Sequence, residues 1–355
     1  MSAQILTVKM ENIGNLFKAI AADQKLYLPL EQAGQVQFLP YDPADDSQKV
    51  RLDVLNTVRS AKDLFFPQSE NMVAFKKQGK KIDIIENREK VEAFTVFGVR
   101  ACDARSFDIL DRVFLSEPVD VSYAERRARG TVVTLACNEP EETCFCETFG
   151  IDAAKPDGDI TTWIADGLLW WQANTDKGVK LTDKLLSVDA GLFVDSTGEA
   201  KALEEQQEKI REIISQLPLH GLSLEYFHKE ELKTIFNSPK WQELSEACIG
   251  CGTCTFVCPT CQCYDIRDYD TGNGVQRYRC WDSCMYSDFV MMAHGNPRTS
   301  QVERFRQRFM HKLVYYPANN EGIFSCVGCG RCLAKCPSSM NIVKVAKTIG
   351  GEANV

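Results

Sequence analysis

The sequence predicts an α+β chain, with a mixed α/β domain at the N-terminal end and a mainly helical, cysteine-rich domain after it. Three observations predict this. Short apolar, β-branched runs alternate with stretches of helical periodicity over residues 1–200. Residues 198–217, GEAKALEEQQEKIREIISQL, are charged and helix-forming, and suit a connector. Twelve of the sixteen cysteines fall beyond residue 247, in two compact runs.

The element order follows from local pattern. Strands are expected at Ile5–Met10, Val36–Leu39, Ala93–Val99 and Thr131–Ala136, each apolar and bounded by turn residues. Helices are expected at Glu11–Ala22, Ser47–Ser60 and Arg105–Phe114; in the first, Ile13, Leu16, Phe17 and Ile20 recur at helical spacing. Residues 120–200 mix Pro, Gly, Asp and Thr with short apolar runs and read as strands and loops. From residue 240 the chain reads as helices broken by cysteine loops, with helices at Val302–Leu313 and Ile342–Ile349. The expected division is an α+β domain over 1–200, a helical connector over 201–240, the cysteine-rich helical domain over 241–345 and a tail over 346–355.

Composition narrows the function. A chain of 355 residues with 44% hydrophobic and 25% charged residues can build an ordinary core, so the cysteines need not substitute for one. A net charge of −8 argues against a nucleic-acid partner, which needs a clustered basic surface. No apolar run reaches transmembrane length, and MSAQILTVKMENIGNLFKAI carries Glu11 where a signal peptide has its apolar core. The expectation is a cytoplasmic protein. No Gly-rich dinucleotide fingerprint and no P-loop is present.

Many thiols in a reducing compartment point to metal rather than disulfides. Residues 248–259 read Cys-Ile-Gly-Cys-Gly-Thr-Cys-Thr-Phe-Val-Cys-Pro, and 326–337 read Cys-Val-Gly-Cys-Gly-Arg-Cys-Leu-Ala-Lys-Cys-Pro. Both are C-x2-C-x2-C-x3-C-P, the bacterial ferredoxin spacing, in which the fourth cysteine serves the other cluster. Three thiolates at i, i+3 and i+6 wrap one cubane, and the fourth points away. The expected ligands are Cys248, Cys251, Cys254 and Cys336 for one [4Fe–4S] cluster, and Cys326, Cys329, Cys332 and Cys258 for the second. Gly250, Gly252, Gly328 and Gly330 would let backbone N–H groups approach the cluster sulfurs. A zinc-binding interaction module is the alternative, but zinc ribbons use separated C-x2-C pairs without the third and fourth cysteines seen here.

Eight cysteines remain. Cys261, Cys263, Cys280 and Cys284 follow the first motif and are candidate ligands of a further cluster; the alternative is small buried residues lining the neighbouring pocket. Cys102 and Cys137 each end a predicted strand, and Cys144 and Cys146 form a C-x-C close by. These four would leave one sheet edge together if the strands are neighbours, making a candidate third [4Fe–4S] site; the alternative is buried thiols and a tight turn. Sixteen cysteines are four sets of four, so the chain has thiols for two clusters and for two more.

Other features have weaker readings. Arg298, Arg304, Arg306, Arg308, His311 and Lys312 form a basic run that would neutralise cluster charge, dock an acidic partner or simply be a solvated helix face. His294 and His311 are commoner as core or surface residues than as iron ligands. Trp163, Trp170, Trp171 and Trp281 suit a core or an interface.

Several segments together resemble the anaerobic sulfite reductase and sulfhydrogenase beta-subunit family of 4Fe-4S dicluster proteins. They are Lys62-Asp-Leu-Phe-Phe-Pro67, Gly98-Val-Arg-Ala-Cys-Asp103, Cys144-Phe-Cys146, Cys258-Pro-Thr-Cys-Gln-Cys263, Trp281-Asp-Ser-Cys284 and Phe305-Arg-Gln-Arg-Phe-Met-His-Lys312. The similarity runs from about residue 25 to the C-terminus. Cys280 is outside the pattern. The resemblance implies an iron–sulfur electron-transfer subunit of an anaerobe's oxidoreductase complex. It would relay electrons between a flavoprotein partner, which binds FAD and NAD(P)H, and a catalytic redox partner. That second partner would be a hydrogenase, a sulfite reductase or a heterodisulfide-reductase-like module. The missing nucleotide fingerprint agrees, since hydride chemistry would sit in the flavoprotein. A rival is a catalytic reductase with its own substrate at the N-terminal cluster, which predicts that one of Cys102, Cys137, Cys144 and Cys146 is not a ligand.

Overall fold

The computed structural model describes residues 4–351. Its contacts divide the chain into two units. The first takes in the chain through Ala61, Glu92–Ser223 and Cys326–Gly330; the second takes in Lys62–Val91, Leu224–Ser325 and the chain from Arg331. The units are therefore not the consecutive stretches that composition suggests.

The first unit is built on a mixed sheet. Its strand order is Val194–Asp195, Ile5–Lys9, Leu168–Ala173, Ile160–Ala165, Gly130–Leu135, Phe94–Val99, Lys25–Gln32, Gln35–Pro40, with Lys49–Val50 pairing with Lys25–Gln32. Lys25–Gln32, Phe94–Val99, Gly130–Leu135 and Ile160–Ala165 run parallel to their neighbours in that order; the other pairings are antiparallel. Phe94–Val99 and Gly130–Leu135 are buried at every position, as parallel strands covered on both faces must be. Their registers, Phe94 opposite Gly130 and Val96 opposite Val132, bring both carboxyl ends to one edge. Leu16, Phe17 and Ile20 of helix Ile13–Ala21 close one core cluster against Leu28, Phe97, Val133 and Trp171. Trp163, Trp170 and Trp171 are core residues.

All four expected strands are present within a residue or so of their predicted ends. The helix expected over Ser47–Ser60 is absent. Tertiary partners use its backbone instead: the Arg51 N–H donates to the Pro29 carbonyl (2.8 Å), the Val58 N–H to Val36 (2.9 Å), and the buried Arg100 guanidinium takes the Leu52 and Val54 carbonyls (2.6 and 3.1 Å). Residues 120–200 carry two helices besides strands, Val121–Arg129 and Asp176–Val188. The charged helix Ala200–Ser215 is not a free connector, because Leu203, Ile210 and Ile214 recur on one face and are buried.

The second unit combines short helices with a four-stranded antiparallel sheet, in the order Tyr264–Asp270, Gly274–Trp281, Ser69–Gln78, Lys81–Ile85. That hairpin lies where only helices and loops were expected. Its signal was present: Thr271-Gly-Asn-Gly274 separates two runs rich in Tyr, Ile, Val and Trp. Helix Gln301–Met310 opens on a full capping box, Ser300 with Glu303, and continues as a π-helical turn, His311–Tyr315. Helix Ile342–Gly350 takes up residues 346–350 of the expected tail, and residues 352–355 lie outside the described residues.

Candidate iron–sulfur centres

The first motif lies in the second unit. Cys248, Cys251 and Cys254 surround a loop that turns through Gly250 and Gly252, with φ of 68° and 73°, into the short helix Thr253–Phe256. Cys254 has Cys248, Cys258 and Cys251 as charge neighbours, so these four thiols are gathered. Cys251 is exposed and Cys248, Cys254 and Cys258 are half-buried. Helix Thr253–Phe256 packs against Arg331–Ala334, the corresponding helix of the second motif. Cys336 follows that helix, and its sulfur accepts the Met340 N–H at 3.2 Å.

Buried cations surround these sulfurs. Lys62, 2% exposed, lies 3.6 Å from the Trp281 ring centroid and donates to the carbonyls of Cys258 (3.1 Å) and Cys261 (3.2 Å). Lys312 donates to Thr260 Oγ1 and to the Ser325 carbonyl, both at 2.8 Å. Arg308, 3% exposed, donates through Nη2 to the Cys254 carbonyl at 3.2 Å. Sequence alone left the basic run between cluster neutralisation and a solvated face. Arg304, Arg308 and Lys312, four residues apart, share one side of the helix, and Arg308 and Lys312 are buried. Arg306 instead stacks 3.6 Å over Phe236, and His294 is exposed. Burial and then Lys312 push the His311 imidazole down to about 4. Lys62 is the residue sequence reasoning missed; its signal was its place at the head of the Lys62–Pro67 segment.

These charges act on the thiols. Burial pushes the Cys254 thiol up. Burial works against the Cys258 thiolate too, but Lys312, Thr260 and Arg308 together bring that thiol below its ordinary value. A [4Fe–4S] cluster with four thiolates is an anion, so buried Arg and Lys beside it fit the group, as does the ligand spacing. Among the described residues no three Cys, His or carboxylate side chains close on one point as the ligands of a single ion would, which does not favour zinc.

The further cysteines of this region separate into three and one. Cys261 hydrogen-bonds Cys263, and Cys263 in turn contacts Cys284. The Cys263 partnership and burial push Cys261 well up, and the contacts with Cys261 and Cys284, with burial, leave Cys263 pushed up to about 12. Cys280 does not join them. It sits on strand Gly274–Trp281 between the buried Arg279 and Trp281, so strand alternation turns it to the opposite face, beside Arg267, Asp265 and Asp282.

The N-terminal four lie in the first unit, at the carboxyl edge of its parallel strands. Cys102 is in the first turn of helix Ala101–Phe114, directly after strand Phe94–Val99, and Cys137 follows strand Gly130–Leu135. The strands are neighbours, the condition the sequence left open. The Ala101 N–H hydrogen-bonds the Cys137 sulfur, and Arg100 is a charge neighbour of that thiol. Cys144 and Cys146 both have Cys137 as a charge neighbour. All four are buried, at 4–7% exposure. Burial first, then neighbouring thiols, pushes Cys144 and Cys146 up to about 12. Neutral thiols would satisfy that environment, and so would thiolates bound to iron, since coordination deprotonates a thiol outright. The helix N-terminus and Arg100 supply positive potential for the second state.

Within the same unit the second motif's loop meets this site. The Phe145 N–H donates to the Gly328 carbonyl at 2.9 Å, and Cys329 is a charge neighbour of Cys144. A Cβ on Gly328 would stand 2.3 Å from the Phe145 oxygen, whereas one on Gly250 would meet nothing nearer than 3.8 Å. Gly328 therefore admits a neighbouring backbone as well as a positive φ. Gly250→Ala is expected to cost only its left-handed backbone, ~1–2 kcal/mol, and to keep its iron. Gly328→Ala is expected to lose iron and more stability. Equal melting temperatures and iron contents in the two variants would contradict the close approach.

Among the described residues no helix is long and apolar enough to cross a membrane. Residues 247–340 match the family model of the 4Fe-4S dicluster domain, so this part of the chain carries two [4Fe–4S] clusters. Over 338 residues, 94% of this chain and 95% of the relative, the sequence is 31% identical to the Sulfhydrogenase 2 subunit beta of Pyrococcus furiosus.

Proposed function

The chain belongs to the sulfhydrogenase beta-subunit family of iron–sulfur electron-transfer proteins, and from that premise we propose that it relays electrons between a partner that binds FAD and NAD(P)H and a catalytic redox partner. The catalytic partner is a hydrogenase, a sulfite reductase or a heterodisulfide-reductase-like module. Cys248, Cys251, Cys254 and Cys336 hold one cluster, and Cys326, Cys329, Cys332 and Cys258 hold the other. Cys102, Cys137, Cys144 and Cys146 hold a third.

The observation that carries the relay is adjacency. The N-terminal thiols abut the second motif's loop through the Phe145–Gly328 hydrogen bond, and Cys329 neighbours Cys144. Centres placed in series this way pass electrons along the chain rather than store them. The clusters supply one-electron redox chemistry when bound. This chain's residues hold the sulfurs, exclude water at the buried thiols and place Arg308, Lys62 and Lys312 against the added negative charge.

Anaerobic native purification tests the relay. The chain is expected to copurify with a flavin-containing partner, and its clusters to bleach on addition of NADH or NADPH to that complex. A chain that migrates as a monomer without flavin would remove the relay's support.

One observation favours the catalytic alternative. A cavity of about 640 Å³ in the first unit is lined by Arg100, Ala136 and Asn138, flanking Cys137. The reduced chain on its own, mixed with sulfite, separates the readings: reoxidation no faster than buffer supports the relay, and faster reoxidation supports a reductase.

A further inference from the structure

Arg308 carries an unmet hydrogen-bonding capacity. Its side chain is 3% exposed, and only Nη2 has a partner among the described residues, the Cys254 carbonyl at 3.2 Å. Nε and Nη1 are buried with no hydrogen-bond partner. A buried guanidinium with two idle donors costs a few kcal/mol unless something accepts them, so such atoms mark a missing acceptor.

The surroundings identify the acceptor. The charge neighbours of Arg308 are the sulfurs of Cys254, Cys332, Cys258 and Cys284. These four thiols come from different ligand sets: Cys254 from the first, Cys258 and Cys332 from the second, and Cys284 from the group with Cys261 and Cys263. Helix Gln301–Met310 holds Arg308 rigidly, fixed by the Ser300–Glu303 capping box at one end and by the buried Phe305 and Phe309 beside it.

We propose that Arg308 is a shared potential-setting residue, donating its two free arms to the sulfurs of the neighbouring clusters and raising the reduction potentials of both ferredoxin-type clusters together. Each cluster takes up one electron with no bond made or broken, from [4Fe–4S]2+ to [4Fe–4S]+, and a fixed cation with N–H donors favours the more negative product. A compact ammonium has no fork to span several sulfurs, so lysine is an incomplete replacement. The inference rests on the proposed placement of clusters at Cys254, Cys258 and Cys332.

The test is an EPR-monitored redox titration of the full chain, with iron counted first. About eight or more irons per chain in the unmodified protein is the starting condition; fewer would overturn the cluster placement itself, and the role of Arg308 with it. Arg308→Gln is expected to make reduction of both clusters at least tenfold less favourable, about 59 mV per one-electron couple, and Arg308→Lys to shift them less. Unchanged potentials in an iron-replete Arg308→Gln chain would overturn the inference and leave the cluster placement standing. If Arg308→Gln loses iron, the unmodified reduced protein carrying 15N-guanidino arginine decides. A weak nitrogen coupling to the cluster spin, lost in Arg308→Lys, supports the contact, and its absence in the unmodified protein overturns it.

Discussion

Cys336→Ala and Cys258→Ala are each expected to remove one cluster's iron, about four atoms, and to remove it from the opposite motif. The motif helices Thr253–Phe256 and Arg331–Ala334 pack side by side, which suits an exchange of final ligands between loops. With its fourth thiolate gone, a cubane keeps one iron bound only by water and is lost. The expected pairing is specific. Cys336→Ala and Cys248→Ala lose the same EPR signal, and Cys258→Ala and Cys326→Ala lose the other. If Cys336→Ala instead matched Cys326→Ala, each motif would be self-contained and the ligand sets would have to be redrawn.

Removal of iron is expected to unfold the second unit and spare the sheet of the first. Cluster binding energy is folding energy for a site with no preformed ligand cage. The charge neighbours of Arg308 are cysteine sulfurs, and those of Lys312 include Cys258. Once the metal leaves, the thiols protonate and the cations lose that compensation. An unpaired buried charge costs about 3–5 kcal/mol, a large part of an ordinary stability of about 5–15 kcal/mol. The first unit keeps an apolar core of its own around Leu28, Phe97, Val133 and Trp171. Amide exchange after anaerobic chelation is the measurement. Residues 300–350 should lose protection while Val96 and Val133 keep theirs, and protection retained across residues 300–350 would show that the unit does not depend on iron.

Much of the site was legible because thiolate chemistry writes itself into spacing. Two repeats of C-x2-C-x2-C-x3-C-P fix a ligand count and a loop size whatever surrounds them. The strands Phe94–Val99 and Gly130–Leu135 were equally legible, since strands buried on both faces are continuous apolar runs. Cys102 and Cys137 could be placed at strand ends for that reason. The Ser47–Ser60 segment shows the opposite case: its helical pattern lost to Arg100 and to partner strands whose positions no local window contains. The hairpin Tyr264–Trp281 failed for a nearer cause, because cysteines drew the reading toward loops and its Gly-Asn-Gly turn went unused.

The sequence by itself determined that this chain carries cluster ligands, how many thiols are at hand and where the elements of the first sheet run. Those are consequences of residue type and separation along the chain. The tertiary structure decided which thiols keep company: Cys261 with Cys263 and Cys284, Cys280 on the other face of its strand, and Cys144 beside Cys329. It also decided that Arg308, Lys62 and Lys312 are buried among sulfurs rather than solvated. The physical reason is that charge compensation and burial depend on distance through space, which sequence separation does not encode.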